Sequence, residues 1–155
     1  MADPAAALAW AVDLLQRHRI PFQAVGGLAA RAYGAARELV DLDFYIPMER
    51  FPELLDEVAP YVTWGPEHYQ DVHWSITFVK LTFAGQKIEF GDSSQAFFRD
   101  PRSGAWVRQE IGYERSVWCE VLGVRLPVMP KAELVAYKRL LDREVDRLDL
   151  AEIGA

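Results

Sequence analysis

The feature that most constrains this sequence is a short segment in which acidic and apolar residues alternate. Residues 41–46 read Asp-Leu-Asp-Phe-Tyr-Ile, which predicts a β-strand with Asp41 and Asp43 on one face and the apolar residues on the other. Two carboxylates this close repel each other unless a cation lies between them, and hard oxygen ligands suit Mg²⁺. The strand is therefore a candidate metal site. A solvated strand face is the alternative for an isolated Asp-x-Asp.

A glycine pair precedes this strand. Gly26-Gly27 stands where an apolar strand over 21–25 passes into an alanine-rich helix over 28–36. Bare backbone N–H groups and the positive end of a helix suit a phosphate group. A tight turn that requires positive φ explains the pair equally well, so both interpretations stay open at this point.

The rest of the chain predicts further helices and strands. Asp3 caps a first helix that begins at Pro4, and strands over 73–83 and 86–90 form a hairpin that contains Glu89. The remaining predictions are a helix over 51–58, a strand over 61–64, a loop over 92–108 with a short helix over 95–98, strands over 116–121 and 124–128, and a helical segment over 130–153.

Length and composition exclude several classes of protein. The 155 residues suit one domain, 1–155, with a core over about 20–128 and a C-terminal helical segment over about 130–153. A net charge of -6 argues against broad nucleic-acid binding, which needs a basic surface. The single cysteine, Cys119, excludes an intramolecular disulfide and a cysteine zinc site, and the apolar run over 5–12 is too short to span a membrane. We expect a cytoplasmic protein; no oligomeric state is indicated.

Two segments together resemble a known family. Val-Gly-Gly-Leu-Ala over 25–29, followed by Arg-Glu-Leu-Val-Asp-Leu-Asp-Phe over 37–44, is similar to the nucleotidyltransferase superfamily, which shares its core with DNA polymerase β. The small bacterial members, such as lincosamide and aminoglycoside nucleotidyltransferases and toxin-antitoxin-associated transferases, are the most similar in character. The segments over 130–138 and 143–150 resemble the closing helices of these proteins. The resemblance implies an α+β nucleotidyltransferase fold: a mixed sheet flanked by helices.

The resemblance also implies a metal site and a reaction. Asp41, Asp43 and Glu89 would be the catalytic acids and would bind Mg²⁺, or Mn²⁺ in its place. Gly26 and Gly27 would hold the β- and γ-phosphates of a nucleoside triphosphate. The nucleoside monophosphate would pass to an acceptor hydroxyl on a small molecule, tRNA or protein.

Three cations would complete the nucleotide site: Arg37, Lys138 and Arg143. A surface arginine is the alternative for Arg37, and a solvated helix face is the alternative for the other two. One further group is aromatic and histidine-rich: Trp64, His68, Tyr69, His73 and Trp74. Its rings suit the lining of an acceptor pocket, and packing in the core is the alternative; no catalytic role is expected for it.

The glycine turn reads Gly-Gly-Leu-Ala over 26–29, where better-known members of the family have serine. The chain departs from the family pattern at two further positions that bear on activity. Leu39 stands where a hydroxyl residue is frequent, and the third acid is Glu89 where the family has aspartate. These departures motivate one alternative, a binding or regulatory module that has kept the fold and lost turnover. A metal-dependent phosphohydrolase, using the same carboxylates with water as acceptor, is a second alternative.

Overall fold

The architecture is one large sheet with helices on both faces. The computed structural model describes residues 1–155. The helices are α1 (Pro4–Arg17), α2 (Gly26–Ala32), α3 (Leu55–Val58), α4 (Lys131–Leu141) and α5 (Glu144–Glu152). The strands are β1 (Gln23–Val25), β2 (Asp41–Ile46), β3 (Val62–Gln70), β4 (Trp74–Phe83), β5 (Gln86–Asp92), β6 (Ala96–Arg99), β7 (Trp106–Gln109), β8 (Val117–Val121) and β9 (Val124–Val128).

The sheet is mixed, and its strand order brings distant segments together. The order is β7-β6-β4-β5-β2-β1-β9-β8, and β3 also pairs with β4. β2 runs parallel to β5, and β1 runs parallel to β9, whereas the other neighbours are antiparallel. In the parallel pair Asp43 lies opposite Glu89. The predicted α+β class and mixed sheet are confirmed.

Side-chain alternation gives the sheet an apolar face and a polar one. Leu42, Phe44 and Ile46 of β2 are at most 1% exposed, and the rings of Phe44 and Phe90 meet edge to face at 5.9 Å. Helix α1 packs on this face, where Trp10 stacks on the last residue of β4. Asp41 and Asp43 project to the opposite face, which α4 and α5 partly cover. The division of faces predicted for residues 41–46 is confirmed.

The first helix begins as its sequence predicts. The Asp3 carboxylate accepts a hydrogen bond from the Ala6 N–H at 3.0 Å, and Pro4 occupies the first helical position, where no N–H partner is needed. The inward side chains of α1 are fully buried. No helix of the chain has the length and apolar character needed to cross a membrane.

The predicted loop with a short helix over 95–98 is wrong. This stretch forms β6 and β7, an antiparallel pair that extends the sheet beyond β4. Ala96 and Phe98 point inward and are at most 5% exposed, while Phe97 and Arg99 point outward. The alternation covers only four residues, too few to compete with the turn signals that follow, and pairing with β4 decides the outcome.

The helical segment predicted over 130–153 is in fact two helices. Asp142 adopts a left-handed conformation with φ of 51°, which ends α4 and turns the chain into α5. Aspartate tolerates this conformation better than most residues because its side chain bonds locally, here to Arg147 at 2.8 Å. The break allows α5 to fold back against α4, which one straight helix would not permit.

Three other boundaries differ from prediction. The helix expected over 28–36 begins at Gly26 and ends at Ala32. The first half of the helix expected over 51–58 belongs to a 3₁₀ segment, Met48–Leu54, that contains Pro52, and the second half is α3. A proline at this position removes a backbone donor, which disfavours a regular α-helix. The strand expected over 61–64 continues as β3 to Gln70 because it pairs with β4 along its length.

Candidate active site

Three carboxylates meet on the polar face of the sheet. Asp41 and Asp43 come from β2, and Glu89 comes from β5 directly beside it. One oxygen from each side chain lies within 4.8 Å of an oxygen from each of the others. None of the ion pairs of the chain involves these three residues. The three side chains, here called the acid triad, therefore concentrate unpaired negative charge.

The environment of the acid triad opposes that charge. Burial raises the pKa of Asp43 well above its usual range, and the nearby Glu89 and Asp41 carboxylates raise it further. Burial and the Asp41 charge likewise raise the pKa of Glu89. A cation between the carboxylates would relieve both effects. Because the donors are carboxylate oxygens without histidine or cysteine, the triad fits Mg²⁺ or Mn²⁺.

Two functional side chains approach the glycine pair closely. Gly26 has φ of +58°, and a β-carbon on it would lie 2.7 Å from the Asp43 Oδ2 atom. A β-carbon on Gly27 would lie 2.7 Å from the Arg37 Nη2 atom. Side chains at these positions would therefore displace both a triad acid and a cation. The turn places bare backbone directly between the acid triad and Arg37.

A second group of charges joins α4 and α5 to Arg37, which precedes β2. Lys138 is 1% exposed, and its Nζ atom lies 3.2 Å from an Asp146 oxygen and 2.9 Å from an Asp149 oxygen. Arg37 binds Asp149 through two nitrogens, at 2.5 and 2.9 Å, and Arg143 binds Asp146 at 2.7 and 3.0 Å. We call these five residues the C-terminal ion-pair cluster. The solvated helix face considered for Lys138 is excluded, because the side chain is buried.

Pairing reverses the effect of burial in this cluster. Burial raises the pKa of Asp146, but the hydrogen bond and charge of Arg143, together with Lys138, outweigh it, so that the net pKa is lowered. Burial opposes ionisation of Asp149 in the same way, and hydrogen bonds from Arg37 and Lys138 again lower its pKa. Both aspartates are therefore ionised, with three cations around two anions.

One cavity of about 410 Å³ joins these parts. All eight site residues expected from the sequence line it: Gly26, Gly27, Arg37, Asp41, Asp43, Glu89, Lys138 and Arg143. Its size lies within the range of small-molecule sites. The acid triad forms part of its wall, the glycine turn lies to one side of the triad, and the cations of the ion-pair cluster contribute another part.

Comparisons with known proteins identify the fold. No family model and no curated protein matches the sequence. Among solved structures, a Thermotoga maritima protein provisionally assigned as a nucleotidyltransferase is 21% identical, with a TM-score of 0.68 over 98% of this chain and 91% of that one. The lincosamide antibiotic adenylyltransferase LnuA, solved with lincomycin, is 10% identical, with a TM-score of 0.64 over 99% and 98%. The antibiotic-resistance factor ANT(2'')-Ia is 14% identical, with a TM-score of 0.61 over 97% and 84%.

This chain has the nucleotidyltransferase fold. The likeness covers almost the whole chain, and it agrees with the resemblance seen in the glycine turn and the paired acids.

One wall of this nucleotidyltransferase-fold cavity is aromatic, and the sequence indicated only two of its residues, Tyr69 and Trp74, as candidates for an acceptor pocket. Tyr69, Trp74, Ile76 and Phe78 line it, together with Lys80. The signal was present in β4, where residues 74, 76, 78 and 80 share one face by strand alternation. That face was not linked to the acids because the pairing of Lys80 with Glu89 across β4 and β5 becomes visible only in the sheet.

Proposed function

We propose that this chain is a metal-dependent nucleotidyltransferase, which transfers a nucleoside monophosphate from a nucleoside triphosphate to an acceptor hydroxyl. The observation that carries the proposal is the convergence of Asp41, Asp43 and Glu89 within 4.8 Å, in one cavity with the glycine turn. The fold supports it, since LnuA is an adenylyltransferase and ANT(2'')-Ia was solved with adenylyl-2''-tobramycin. Fold alone does not decide function, so the site residues carry the argument.

The acid triad would hold Mg²⁺ or Mn²⁺. A metal bound there neutralises charge on the triphosphate and lowers the pKa of the acceptor hydroxyl. Without a cation, the raised pKa values of Asp43 and Glu89 mean that the site resists full ionisation. We therefore expect metal binding to release protons.

The glycine turn and the cations would hold the triphosphate. The bare backbone of Gly26 and Gly27 leaves room for phosphate oxygens beside the acid triad. Arg37 lies over Gly27, and its guanidinium has N–H groups that are not engaged by Asp149. Lys138 and Arg143 add positive charge to the same cavity. Charge-assisted hydrogen bonds from such groups suit the β- and γ-phosphates.

The reaction then follows from the positions of the triphosphate, the acceptor hydroxyl and Glu89. The acceptor oxygen attacks the α-phosphorus, the bond from that phosphorus to the bridging oxygen breaks, and pyrophosphate leaves toward the cations. The proton of the acceptor hydroxyl passes to the Glu89 carboxylate and from there to solvent. Burial raises the pKa of Glu89, which makes it a better base than an exposed carboxylate.

We place the reaction in the cytoplasm, where the half-buried Cys119 remains a thiol. Residues 1–155 would act as a single domain, in which the C-terminal helices complete the site built on the core. The acceptor would be a small molecule, a tRNA or a protein hydroxyl.

Nucleotide binding is the first test. A nucleoside triphosphate with Mg²⁺ at a hundredfold excess over its Kd should stabilise the chain by about 2.7 kcal/mol and raise Tm by roughly 5 to 10 °C. Asp43→Asn should abolish the shift, and Asp56→Asn, which removes an exposed acid of α3, should retain it. If ATP, GTP, CTP and UTP with Mg²⁺ all leave Tm unchanged, the proposal is wrong.

Product analysis then separates transfer from its alternatives. The chain is incubated with α-labelled triphosphates and cell lysate, and labelled products are separated and identified. We expect pyrophosphate and a nucleotidylated acceptor. Free phosphate without a labelled acceptor would indicate a phosphohydrolase, and nucleotide binding without any product would indicate a binding module.

A further inference from the structure

The side of the cavity from which the acceptor enters can be derived from the sheet order. The acid triad lies on β5 and β2, the glycine turn follows β1 on one side, and β4 lies on the other. In phosphoryl transfer the attacking and leaving oxygens lie roughly in line across the phosphorus. If pyrophosphate leaves toward Gly27 and Arg37, the acceptor must approach from β4. This step rests on the proposed function.

The surface that meets the acceptor is then an aromatic wall, which we define as Tyr69, Trp74 and Phe78. The rings of Tyr69 and Phe78 stand edge to face, with their centroids 5.6 Å apart. The centroid of the Trp64 ring, on the neighbouring strand β3, lies 4.8 Å from that of Phe78. The Tyr69 ring remains 40% exposed, and its hydroxyl donates to Asp71 at 2.9 Å. The wall therefore offers fixed ring surface with few free polar groups.

Glycine 91 keeps the approach to this wall open. A β-carbon on Gly91 would lie 2.9 Å from the Ile76 Cδ1 atom and 3.3 Å from the Tyr45 ring. Gly91 lies opposite Phe78, beside the pair that joins Lys80 to Glu89. A hydroxyl group resting near Glu89 would therefore have an attached ring over the wall.

The positive charges around the aromatic wall disfavour binding of a cationic acceptor. The Lys80 Nζ atom lies 5.6 Å from the centre of the Phe78 ring, and the Arg143 guanidinium lies 5.9 Å from that of Trp74. Apart from the acid triad, no carboxylate lines the cavity: Asp71, which accepts from Tyr69, and Glu67, opposite Phe78 on β3, both lie outside it. A polycationic acceptor would find no counter-charge once the triad holds metal.

We infer that the acceptor is a hydroxyl compound with a flat ring and no positive charge, bound with that ring on the aromatic wall. The ring supplies contact area at low entropic cost, and the nearby cations favour a neutral or anionic compound. This wall gives the nucleotidyltransferase-fold cavity its acceptor specificity.

Four glucosides of graded chemistry test this inference without requiring turnover. Phenyl, 4-carboxyphenyl and 4-(aminomethyl)phenyl β-D-glucoside share a ring and differ in charge, and methyl β-D-glucoside lacks the ring. Saturation-transfer NMR on the full chain with Mg²⁺ measures their Kd values, with and without α,β-methylene-ATP. We expect the neutral and anionic ring compounds to bind at least tenfold more tightly than the methyl compound, and the cationic compound to bind at least threefold more weakly than the anionic one.

Variants locate the binding. Tyr69→Ala and Phe78→Leu should each weaken the phenyl compound by roughly tenfold, the scale of one stacking contact. Tyr69→Phe should keep binding within twofold, because the ring remains. Trp118→Ala, which removes an exposed aromatic ring on β8 at the far edge of the sheet, should change nothing.

Three results would overturn the inference: equal binding of the methyl and phenyl compounds, tighter binding of the cationic compound, or absence of binding by all four. A fourth would reassign the wall: if Tyr69→Ala weakens binding of the triphosphate tenfold instead, the wall holds the nucleobase. Because glucoside binding is also measured without nucleotide, its failure is distinct from failure of triphosphate binding, which would contradict the proposed function itself.

Discussion

Two clusters that contain acidic residues contribute to the same cavity, and the pKa values of their carboxylates are shifted in opposite directions. In the acid triad three carboxylates lie together without an ion-pair partner, and burial raises the pKa of Asp43 and of Glu89. In the C-terminal ion-pair cluster Asp146 and Asp149 are fully buried, yet their net pKa values are lowered, because Lys138 and two arginines pair with them.

The difference separates charge used for folding from charge reserved for a ligand. A buried ion pair satisfies itself within the chain, and removal of one partner leaves a buried charge without compensation. The acid triad has no such partner, so its charge is balanced only when a cation arrives. The same residue type therefore stabilises the fold in one cluster and weakens it in the other.

The largest effect on stability should follow Asp149→Asn. This substitution leaves Lys138 with one anionic partner and breaks the two-oxygen pair that holds Arg37, because asparagine has one acceptor oxygen and no charge. We expect the free energy of unfolding to fall by about 3 to 5 kcal/mol. Urea denaturation followed by circular dichroism measures it.

Asp142→Asn provides the matched control. Asp142 pairs with Arg147 at 2.8 Å on the same pair of helices, but both side chains are exposed. Asparagine also tolerates the left-handed conformation at this position. We expect a loss of about 0 to 1 kcal/mol. Equal losses for the two variants would show that burial of the ion-pair cluster contributes nothing.

Glu89→Gln should affect the rate of the reaction and not the stability of the chain. If Glu89 takes the acceptor proton, transfer should slow by about a hundredfold or more, while the Kd for the triphosphate changes little. Single-turnover assays with separately measured binding distinguish the two quantities. Wild-type turnover in this variant would mean that the third carboxylate lies elsewhere, and Asp92 at the end of β5 would be tested next.

A smaller effect, of opposite sign, should follow Asp43→Asn in metal-free buffer. Removal of one of three close negative charges relieves repulsion, so we expect the free energy of unfolding to rise by about 1 to 2 kcal/mol. The same variant should lose Mg²⁺ binding in calorimetric titration. A marked loss of stability would instead identify Asp43 as a structural residue, like Asp149.

The smallest expected effect is the pH dependence of the stability gained by Asp43→Asn. The folded-state pKa of Asp43 is raised, so the penalty from its ionisation is absent below the unfolded pKa of about 3.9, grows as pH rises from there toward the folded pKa, and is constant above it. The advantage of Asp43→Asn should therefore shrink as the pH is lowered from 7 toward 4. A difference that is independent of pH would contradict this account.

The ion-pair cluster should have the reverse dependence. The lowered pKa values of Asp146 and Asp149 mean that their stabilisation is present above the unfolded pKa and is lost as pH falls through the folded values. The difference between wild type and Asp149→Asn should therefore stay constant from pH 7 to 5 and decrease only in stronger acid. Denaturation curves across pH give both slopes.

Local sequence determined a large part of the architecture. The cap at Asp3, the alternation over 41–46, and the strands that became β4, β5, β8 and β9 were all predictable, because capping and strand periodicity act over a few residues. The fold itself followed from a resemblance carried by the glycine turn and the paired acids. Glu89 could be matched to a third acid in that pattern.

Only the tertiary structure decided which charges face one another and which surfaces meet. Lys138 and Asp146 lie eight positions apart along two helices, and only the turn at Asp142 brings them together inside the protein. The aromatic wall joins the acid triad only through the pairing of β4 with β5. Such contacts depend on register and on helix packing, which link residues far apart along the chain, and no short-range pattern encodes them.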